Sequence, residues 1–220
     1  MRIAAEGILM SMTEPPPIVY VVDDDPDVLK AIERLLESAG HAVTTFPSPQ
    51  QFLERHDPRV AGCLVLDLEM PGLSGLELQG ILEQQASHLP IVFLTGHGDI
   101  AASVQAMKHG AADFLTKPVD DALLISTIRD ALARDRSLRA ARSERESIAK
   151  RLATLTERER QVLEHIVAGR RNKQIAAELG TVEKTIKFHR ANLMRKLDVH
   201  VVADLVKLAE RAGVRSKPGT

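Results

Sequence analysis

Short, mostly apolar runs alternate with amphipathic segments five times in the first 135 residues of the chain. Such runs, each followed by residues that favour turns or helix starts, are typical of strands buried on both faces of a parallel sheet. Five consecutive strand–helix units predict right-handed crossovers and a doubly wound α/β domain. The predicted strands cover residues 18–22, 42–46, 62–66, 91–94 and 112–115.

The first amphipathic segment shows how the chain delimits a helix. Asp25 can cap its start, Pro26 suits the first helical position, and Gly40 can end it. Between these residues, apolar side chains recur at helical spacing and form one face. A fifth apolar helix face begins after residue 119.

Residues 134–151 are rich in Arg, Glu, Ser and Ala and contain neither Pro nor Gly. This composition favours a solvated helical connector. A coiled coil is the alternative, but its apolar seam would have to contain Asp135, Arg142 and Arg145.

The rest of the chain shows only helical spacing. Thr156 and Glu159 predict a capping box for a helix that ends near Gly169. Three further helices are predicted over residues 172–179, 182–197 and 201–212. We therefore expect an all-α domain of four helices after the connector.

The net charge of −1 conceals an asymmetry between the two halves of the chain. Residues 1–135 carry 9 Lys and Arg against 20 Asp and Glu, whereas residues 136–220 carry 20 against 10. An acidic half joined to a basic half is expected of a regulatory domain linked to a nucleic-acid binder. A basic, merely solvated helix surface is the alternative.

The length of 220 residues favours two modest domains, although it does not exclude a single α/β domain. The pattern divides the chain into a disordered leader, an α/β domain, a helical connector and a helical domain. The corresponding ranges are 1–16, 17–133, 134–151 and 152–220. Met12 is an alternative start to Met1.

Composition also indicates the cellular compartment in which the protein is expected. No apolar stretch approaches the ~18 residues of a membrane span, and the leader lacks the layout of a signal peptide. Cys63 is the only cysteine, so an intramolecular disulfide is impossible. We expect a cytoplasmic protein without a membrane partner.

Chemically capable side chains follow four of the five apolar runs. Asp23 and Asp24 come after the first run, Asp67 after the third, Thr95 after the fourth and Lys117 after the fifth. The carboxyl ends of the strands face one crevice in an open parallel sheet, so these side chains are expected to meet. Mg²⁺ prefers hard oxygen ligands and usually takes only a few carboxylates. The pattern predicts a magnesium-assisted phosphoryl site.

These residues, together with Pro118 after Lys117, resemble the receiver domain of two-component response regulators over about residues 17–130. The resemblance implies a flavodoxin-like five-stranded sheet of order 2-1-3-4-5. It also implies that Asp67 accepts a phosphoryl group from the phosphohistidine of a kinase. The implied Mg²⁺ ligands are Asp23, Asp24, Asp67 and the backbone carbonyl of Glu69.

The same resemblance implies a switch made of Thr95, Phe114 and Lys117. The Lys117 ammonium and the Thr95 hydroxyl would contact the phosphoryl group, and Phe114 would rotate inward together with Thr95. Many relatives carry Asn or Arg where this chain has Glu69, and an extra carboxylate at this position is able to alter phosphoryl-transfer or dephosphorylation rates.

Residues 156–212 resemble the four-helix LuxR/FixJ-type helix-turn-helix module. The spacing of its two central helices is held by Ile175, Ala176, Leu179, Gly180 and Ile186. At 100° per residue, five side chains of the segment 182–197 share the core side. These are Val182, Ile186, His189, Leu193 and Leu197.

The opposite side of this segment carries cations around an aromatic residue. In the major groove, Phe188 can touch thymine methyls while lysines read guanine or phosphate. Lys173 lies at a helix start, where it can contact a backbone phosphate. A protein-interaction module with a basic face is the alternative. The candidate DNA contacts are Lys173, Lys184, Thr185, Lys187, Phe188, Ala191, Asn192 and Arg195.

Together the two resemblances imply a FixJ-type response regulator, a phosphorylation-dependent DNA-binding transcriptional regulator and not an enzyme. The expected partners are double-stranded DNA, a histidine kinase, RNA polymerase, and a second copy of the chain after phosphorylation. The opposite charges of the halves also permit a masking contact within one chain, but the helical connector favours dimerisation.

Two alternatives remain from other functional classes. A magnesium-dependent aspartyl-phosphate phosphatase or phosphotransferase would need a second acid and a substrate-capping element, and the sequence shows neither. A phosphorylation-independent regulator would use the α/β domain only as a scaffold. The sequence keeps Asp23, Asp24, Asp67 and Lys117, the acids and the lysine of the predicted phosphoryl site, and this disfavours a scaffold role.

Overall fold

The computed structural model describes residues 15–96 and 100–213, which fall into two compact units. The first unit ends at Leu138 and the second begins at Arg139. Apart from Pro15 and Pro16, the proposed leader lies outside the described residues.

The first unit is built on one parallel sheet. Its order is β2-β1-β3-β4-β5. This confirms the predicted flavodoxin-like topology. The strands are β1 (Ile18–Val22), β2 (Ala42–Phe46), β3 (Gly62–Asp67), β4 (Ile91–Thr95) and β5 (Asp113–Thr116).

Helices connect these strands and cover the two faces of the sheet. They are α1 (Pro26–Ser38), α2 (Pro49–Arg55), α3 (Gly75–Gln84), α4 (Ile100–Lys108) and α5 (Asp121–Ala153). Tyr20 and Val22 belong to the core cluster that includes α3 and α4, whereas Val19 and Val21 belong to the one that includes α1 and α5. Burial on both faces explains why the strands read as continuous apolar runs.

Helix α1 begins and ends where the sequence predicts. The Asp25 carboxylate accepts hydrogen bonds from the backbone N–H groups of Asp27 and Val28, and Pro26 occupies the first turn. Gly40 adopts a φ of 86° just beyond the helix, a conformation that glycine takes without strain.

Helix α5 is continuous over 33 residues and includes all of residues 134–151. Asp135 is only 1% exposed, and its Oδ2 accepts a hydrogen bond from the backbone N–H of Gly62 at 3.1 Å. A Cβ on Gly62 would lie 2.1 Å from the carbonyl oxygen of Ile18. The interpretation of this stretch as solvated therefore does not hold at Asp135, which anchors α5 to the start of β3.

The second unit is helical. It contains the end of α5 together with α6 (Glu157–Val167), α7 (Asn172–Glu178), α8 (Glu183–Leu197) and α9 (Val202–Arg211). The predicted capping box of Thr156 and Glu159 is present at the start of α6. Gly180, with a φ of 62°, makes the turn between α7 and α8.

Helix α8 confirms most of the predicted core side and corrects one residue. Ile186, Leu193 and Leu197 are fully buried. Val182 was expected beside them but is 64% exposed. It is the N-cap residue of α8 with φ −102° and ψ 151°, so helical periodicity does not extend to its side chain.

Among the described residues, no helix is both long enough and apolar enough to cross a membrane.

Candidate metal centre and nucleic-acid interface

Three carboxylates meet at the carboxyl ends of β1 and β3. Asp23, Asp24 and Asp67 each offer an oxygen, and these oxygens all lie within 4.8 Å of one another. The parallel register pairs Val22 with Leu66, so the acids that follow these residues are brought side by side. Asp23 and Asp67 are buried, whereas Asp24 is exposed.

Lys117 joins this acidic cluster from the end of β5. Its Nζ donates to Asp23 Oδ2 at 2.6 Å and to Asp67 Oδ1 at 3.0 Å. Its backbone N–H donates to the carbonyl oxygen of Thr95 at 2.7 Å, and the peptide bond to Pro118 is cis. A single ammonium therefore faces two buried carboxylates.

The burial of this cluster shifts its ionisation. Burial raises the pKa of Asp67, and the hydrogen bond from Lys117 offsets this only in part, with the neighbouring Asp23 charge adding to the rise. Burial disfavours the Lys117 ammonium, but its hydrogen bonds to Asp23 and Asp67 outweigh that effect and raise its pKa. The pocket thus has an excess of negative charge that a cation would compensate.

The donor set of the cluster fits Mg²⁺. Hard carboxylate oxygens are present in small number, and the exposed Asp24 leaves an open side for water or phosphate oxygens. Glu69 lies two residues after Asp67 with its side chain at the surface. Asp23, Asp24 and Asp67 are therefore brought together as the sequence predicts.

The remaining predicted switch residues lie on the paired strands β4 and β5. Thr95, at the end of β4, is 1% exposed. Phe114 on β5 is half-buried, with its ring centre 6.1 Å from that of Phe93. The register pairs Phe93 with Phe114 and Thr95 with Thr116, so the two switch residues lie on neighbouring strands.

Sequence reasoning missed Gly75, the first residue of α3. A Cβ there would lie 2.3 Å from the carbonyl oxygen of Asp67. Because this position admits no side chain, α3 can start directly against the end of β3. The capping box of Ser74 and Glu77 was the available local signal for this helix start.

The predicted DNA face of α8 is exposed. Phe188 is 63% exposed on the face that also carries Lys184 and Arg195. Thr185 and Asn192 are half-buried at its edges, and Lys173 is exposed on α7. The other exposed residues of this face are Lys184, Lys187, Ala191 and Arg195.

Several polar groups of this surface have partners within the second unit. Lys187 pairs with Glu183 at 3.2 Å, an exposed pair that is easily exchanged for a phosphate. Arg190 donates to Asn172 at 3.0 Å, so it links α8 to the start of α7. At 100° per residue Arg190 lies near the core side of α8, and this contact supports a structural role for it.

The fold and the acidic cluster are those of a receiver-type unit, and the second unit has the helices of a helix-turn-helix module. Comparison with family models agrees. The model described as "Response regulator receiver domain" matches residues 19–129, and that described as "Bacterial regulatory proteins, luxR family" matches residues 153–209.

Close relatives match along nearly the whole chain. The transcriptional regulatory protein FixJ of Azorhizobium caulinodans is 45% identical over 196 residues, covering 89% of this chain and 93% of that protein. The response regulator protein TodT of Pseudomonas putida is 40% identical over 203 residues, covering 92% and 89%. The solved structure of the response regulator StyR has a TM-score of 0.85 at 46% identity, covering 90% of this chain and all of that one.

The chain therefore belongs to the response regulators that combine a receiver domain with a LuxR-type DNA-binding domain. Members of this family are phosphorylation-dependent transcriptional regulators that act with histidine kinases and bind DNA.

Proposed function

We propose that Asp67 is the residue of this regulator that accepts the phosphoryl group from a histidine kinase. An Asp67 carboxylate oxygen attacks the phosphorus of the phosphohistidine, a P–O bond forms and the P–N bond breaks. The electron pair of the broken bond returns to the imidazole of the kinase. The observation that supports this role is the contact of the buried Asp67 with Lys117, whose ammonium also binds the neighbouring buried Asp23.

The metal ligands of the proposal are Asp23, Asp24, Asp67 and the backbone carbonyl of Glu69. Bound Mg²⁺ would offset the repulsion between the carboxylates and the incoming phosphoryl oxygens. Lys117 then pairs with the phosphoryl group, since its Nζ already lies 3.0 Å from Asp67 Oδ1. Its ammonium form is favoured because the two carboxylates raise its pKa.

Phosphorylation would act through Thr95 and Phe114. The Thr95 hydroxyl turns to donate to the phosphoryl oxygens, and Phe114 then moves into the space beside β4. The two residues lie on paired strands, with Phe93 opposite Phe114 and Thr95 opposite Thr116 in the register. A change at the pocket therefore reaches the surface formed by α4 and β5.

That surface supports receiver dimerisation. Helix α4 exposes Ile100, Val104 and Met107, which are 78%, 47% and 47% exposed, while Ala102 and Ala106 face the core. Apolar side chains clustered on one outer helix face favour association with a second copy. Two receivers paired in this way bring two helix-turn-helix units to two half-sites of DNA.

The second unit reads DNA through α8 and the start of α7. Phe188 and Ala191 provide apolar contacts, Thr185 and Asn192 polar ones, and the cations bind guanine or phosphate. The proposed cationic contacts are Lys173, Lys184, Lys187 and Arg195. The protein acts as a cytoplasmic regulator without catalytic turnover, and the DNA-bound dimer recruits RNA polymerase.

Labelling with radioactive acetyl phosphate, with and without Mg²⁺, tests the proposed function. We expect stoichiometric, magnesium-dependent labelling that is followed by tighter DNA binding. Rapid release of inorganic phosphate over many turnovers would indicate the alternative enzyme. DNA binding that does not change with labelling, or no labelling at all, would indicate a receiver that serves only as a scaffold.

A further inference from the structure

Val182 occupies an unfavourable position for a valine. It is the N-cap residue of α8, where its side chain makes no capping hydrogen bond. Its side chain is 64% exposed, more than that of Phe188. Ser, Thr, Asp or Asn at an N-cap would satisfy a free backbone N–H group of the first turn, whereas valine cannot.

Val182 lies at the N-terminal end of α8, the helix that carries the proposed DNA face. Lys184, in the first turn of α8, is exposed, and Lys187 follows one turn later. In helix-turn-helix proteins the N-terminal residues of the second helix approach the base edges in the major groove. An exposed apolar group at this end of α8 is therefore adjacent to bases when the helix is bound.

We propose that Val182 is a specificity-determining residue that contacts the C5-methyl group of a thymine in the major groove. The inference rests on the proposed DNA-binding role of α8 and adds a contact that the charge pattern does not reveal. The methyl group of thymine is the apolar feature of the major groove that distinguishes one base from the others. Valine offers two methyl groups and no side-chain hydrogen-bond donor, so it discriminates bases without binding phosphate.

Replacing thymine by uracil in the DNA isolates this contact, because deoxyuridine lacks only the C5-methyl group. A preferred duplex is first selected from a randomised duplex library with the full-length chain phosphorylated by acetyl phosphate. Each thymidine of that duplex is then replaced singly by deoxyuridine, and affinity is measured by fluorescence anisotropy. At one position per half-site we expect binding to weaken by about fourfold, the effect of burying one such group.

Val182→Ser should lose affinity for the thymidine duplex by a similar factor, and it should no longer respond to deoxyuridine at that position. The serine hydroxyl can cap α8, so the amides of its first turn should exchange with solvent more slowly. Specificity would then fall while the helix becomes more protected, a combination that a merely structural role does not produce. Val182→Ala removes the apolar contact without adding a cap and should show the same loss of the deoxyuridine effect.

Val201 provides the matched control. It is the N-cap residue of α9, also lacks a side-chain cap, and is 53% exposed. Its helix has Asp204, not a lysine, in the first turn. Val201→Ser should protect α9 against exchange and leave the deoxyuridine response unchanged.

A deoxyuridine response that persists in both Val182 variants would overturn the inference. Equal loss of affinity for the selected duplex and for a scrambled duplex would also overturn it, because it would indicate a general backbone contact. If the proposed DNA-binding function itself were wrong, the unsubstituted protein would not prefer the selected duplex to the scrambled one. This outcome distinguishes it from failure of the Val182 inference.

Discussion

At the residue scale, two buried carboxylates that each contact a lysine show how surroundings decide the role of an acid. Asp67 shares Lys117 with Asp23, and burial together with the second negative charge raises its pKa. Glu159 is also buried, but Lys196 and Thr156 donate to it and lower its pKa despite burial. The Asp67 arrangement suits the proposed phosphoryl acceptor. The hydrogen bonds to Glu159 instead stabilise its carboxylate within the helical unit.

The role of Asp67 leads to a direct test. Asp67→Asn keeps the side-chain volume but removes the nucleophilic carboxylate, so labelling by acetyl phosphate should fall to background. Circular dichroism should show an unchanged fold. Asp130→Asn, at an exposed position of α5, is the control and should be labelled like the unsubstituted protein. Persistent labelling of the Asp67→Asn variant would show that another residue is the acceptor.

Phe188 and Lys187 are neighbours in sequence but should contribute differently to DNA binding. Phe188→Ala should weaken binding to the preferred duplex by about 1–3 kcal/mol and affect random DNA much less, because apolar base contacts carry sequence information. Lys187→Ala should weaken both and reduce the salt dependence by about one counterion. Titrations at several salt concentrations distinguish the two. Equal losses on both DNAs for Phe188→Ala would contradict a base contact.

At the scale of elements, the start of β3 depends on a residue far away in sequence. Gly62 donates its backbone N–H to Asp135 of α5, and this bond is buried. Asp135→Leu should therefore leave a buried donor unpaired and destabilise the first unit by about 1–3 kcal/mol. Asp135→Asn keeps an acceptor and should restore most of the stability. Urea unfolding followed by hydrogen-exchange mass spectrometry measures both variants, and equal stability of the two would contradict the role of this bond.

The pairing of Glu159 with Lys196 predicts a pH dependence for the helical unit. Because the pKa of Glu159 is lowered in the folded state, its contribution to stability is full above its ordinary value of 4.5 and is lost as pH falls through the lower folded value. Glu159→Gln should reduce the free energy of unfolding by about 1–3 kcal/mol at pH 7. The difference, measured by urea unfolding at each pH, should shrink as the carboxylate becomes protonated in strong acid. The control Glu157→Gln, at an exposed position of the same turn, should keep the pH profile of the unsubstituted protein.

The elements themselves were largely predictable, and the exceptions have physical causes. Strands buried on both faces appear as apolar runs, and a capping box marks a helix start, so local pattern suffices for both. Val182 was misplaced because helical periodicity was extended into a residue whose backbone is not helical. Asp135 was misread because its partner, Gly62, is distant in sequence, and a charged stretch gives no sign of such a contact.

At the scale of the whole molecule, the acidic cluster was predictable because the strand order brings its carboxylates together. Strand order alone places the ends of β1 and β3 side by side, so Asp23 and Asp67 had to meet once the sheet was recognised. Lys117 follows β5, which is separated from β3 by β4, so its contacts with Asp23 and Asp67 depend on the reach of its long side chain and not on strand adjacency. Gly75 was not predictable, since its close approach to the Asp67 carbonyl depends on how α3 packs.

The proposed phosphorylation switch involves both units of the chain. Phosphorylation should shift the protein from monomer to dimer, because the proposed movement of Thr95 and Phe114 would reshape a surface on which α4 already exposes Ile100 and Val104. Analytical ultracentrifugation with and without acetyl phosphate measures this shift, and the fragment 150–220 should bind DNA weakly whether or not acetyl phosphate is present.

Val104→Glu places a charge in the apolar face of α4 and should abolish the shift while labelling of Asp67 continues. Glu54→Lys, an exposed change on α2 at the other edge of the sheet, should leave the shift intact. A protein that stays monomeric on phosphorylation yet gains DNA affinity would instead indicate release of a masked helix-turn-helix. The opposite charges of the two halves would then supply the masking force, and high salt should raise the DNA affinity of the unphosphorylated chain relative to that of the fragment.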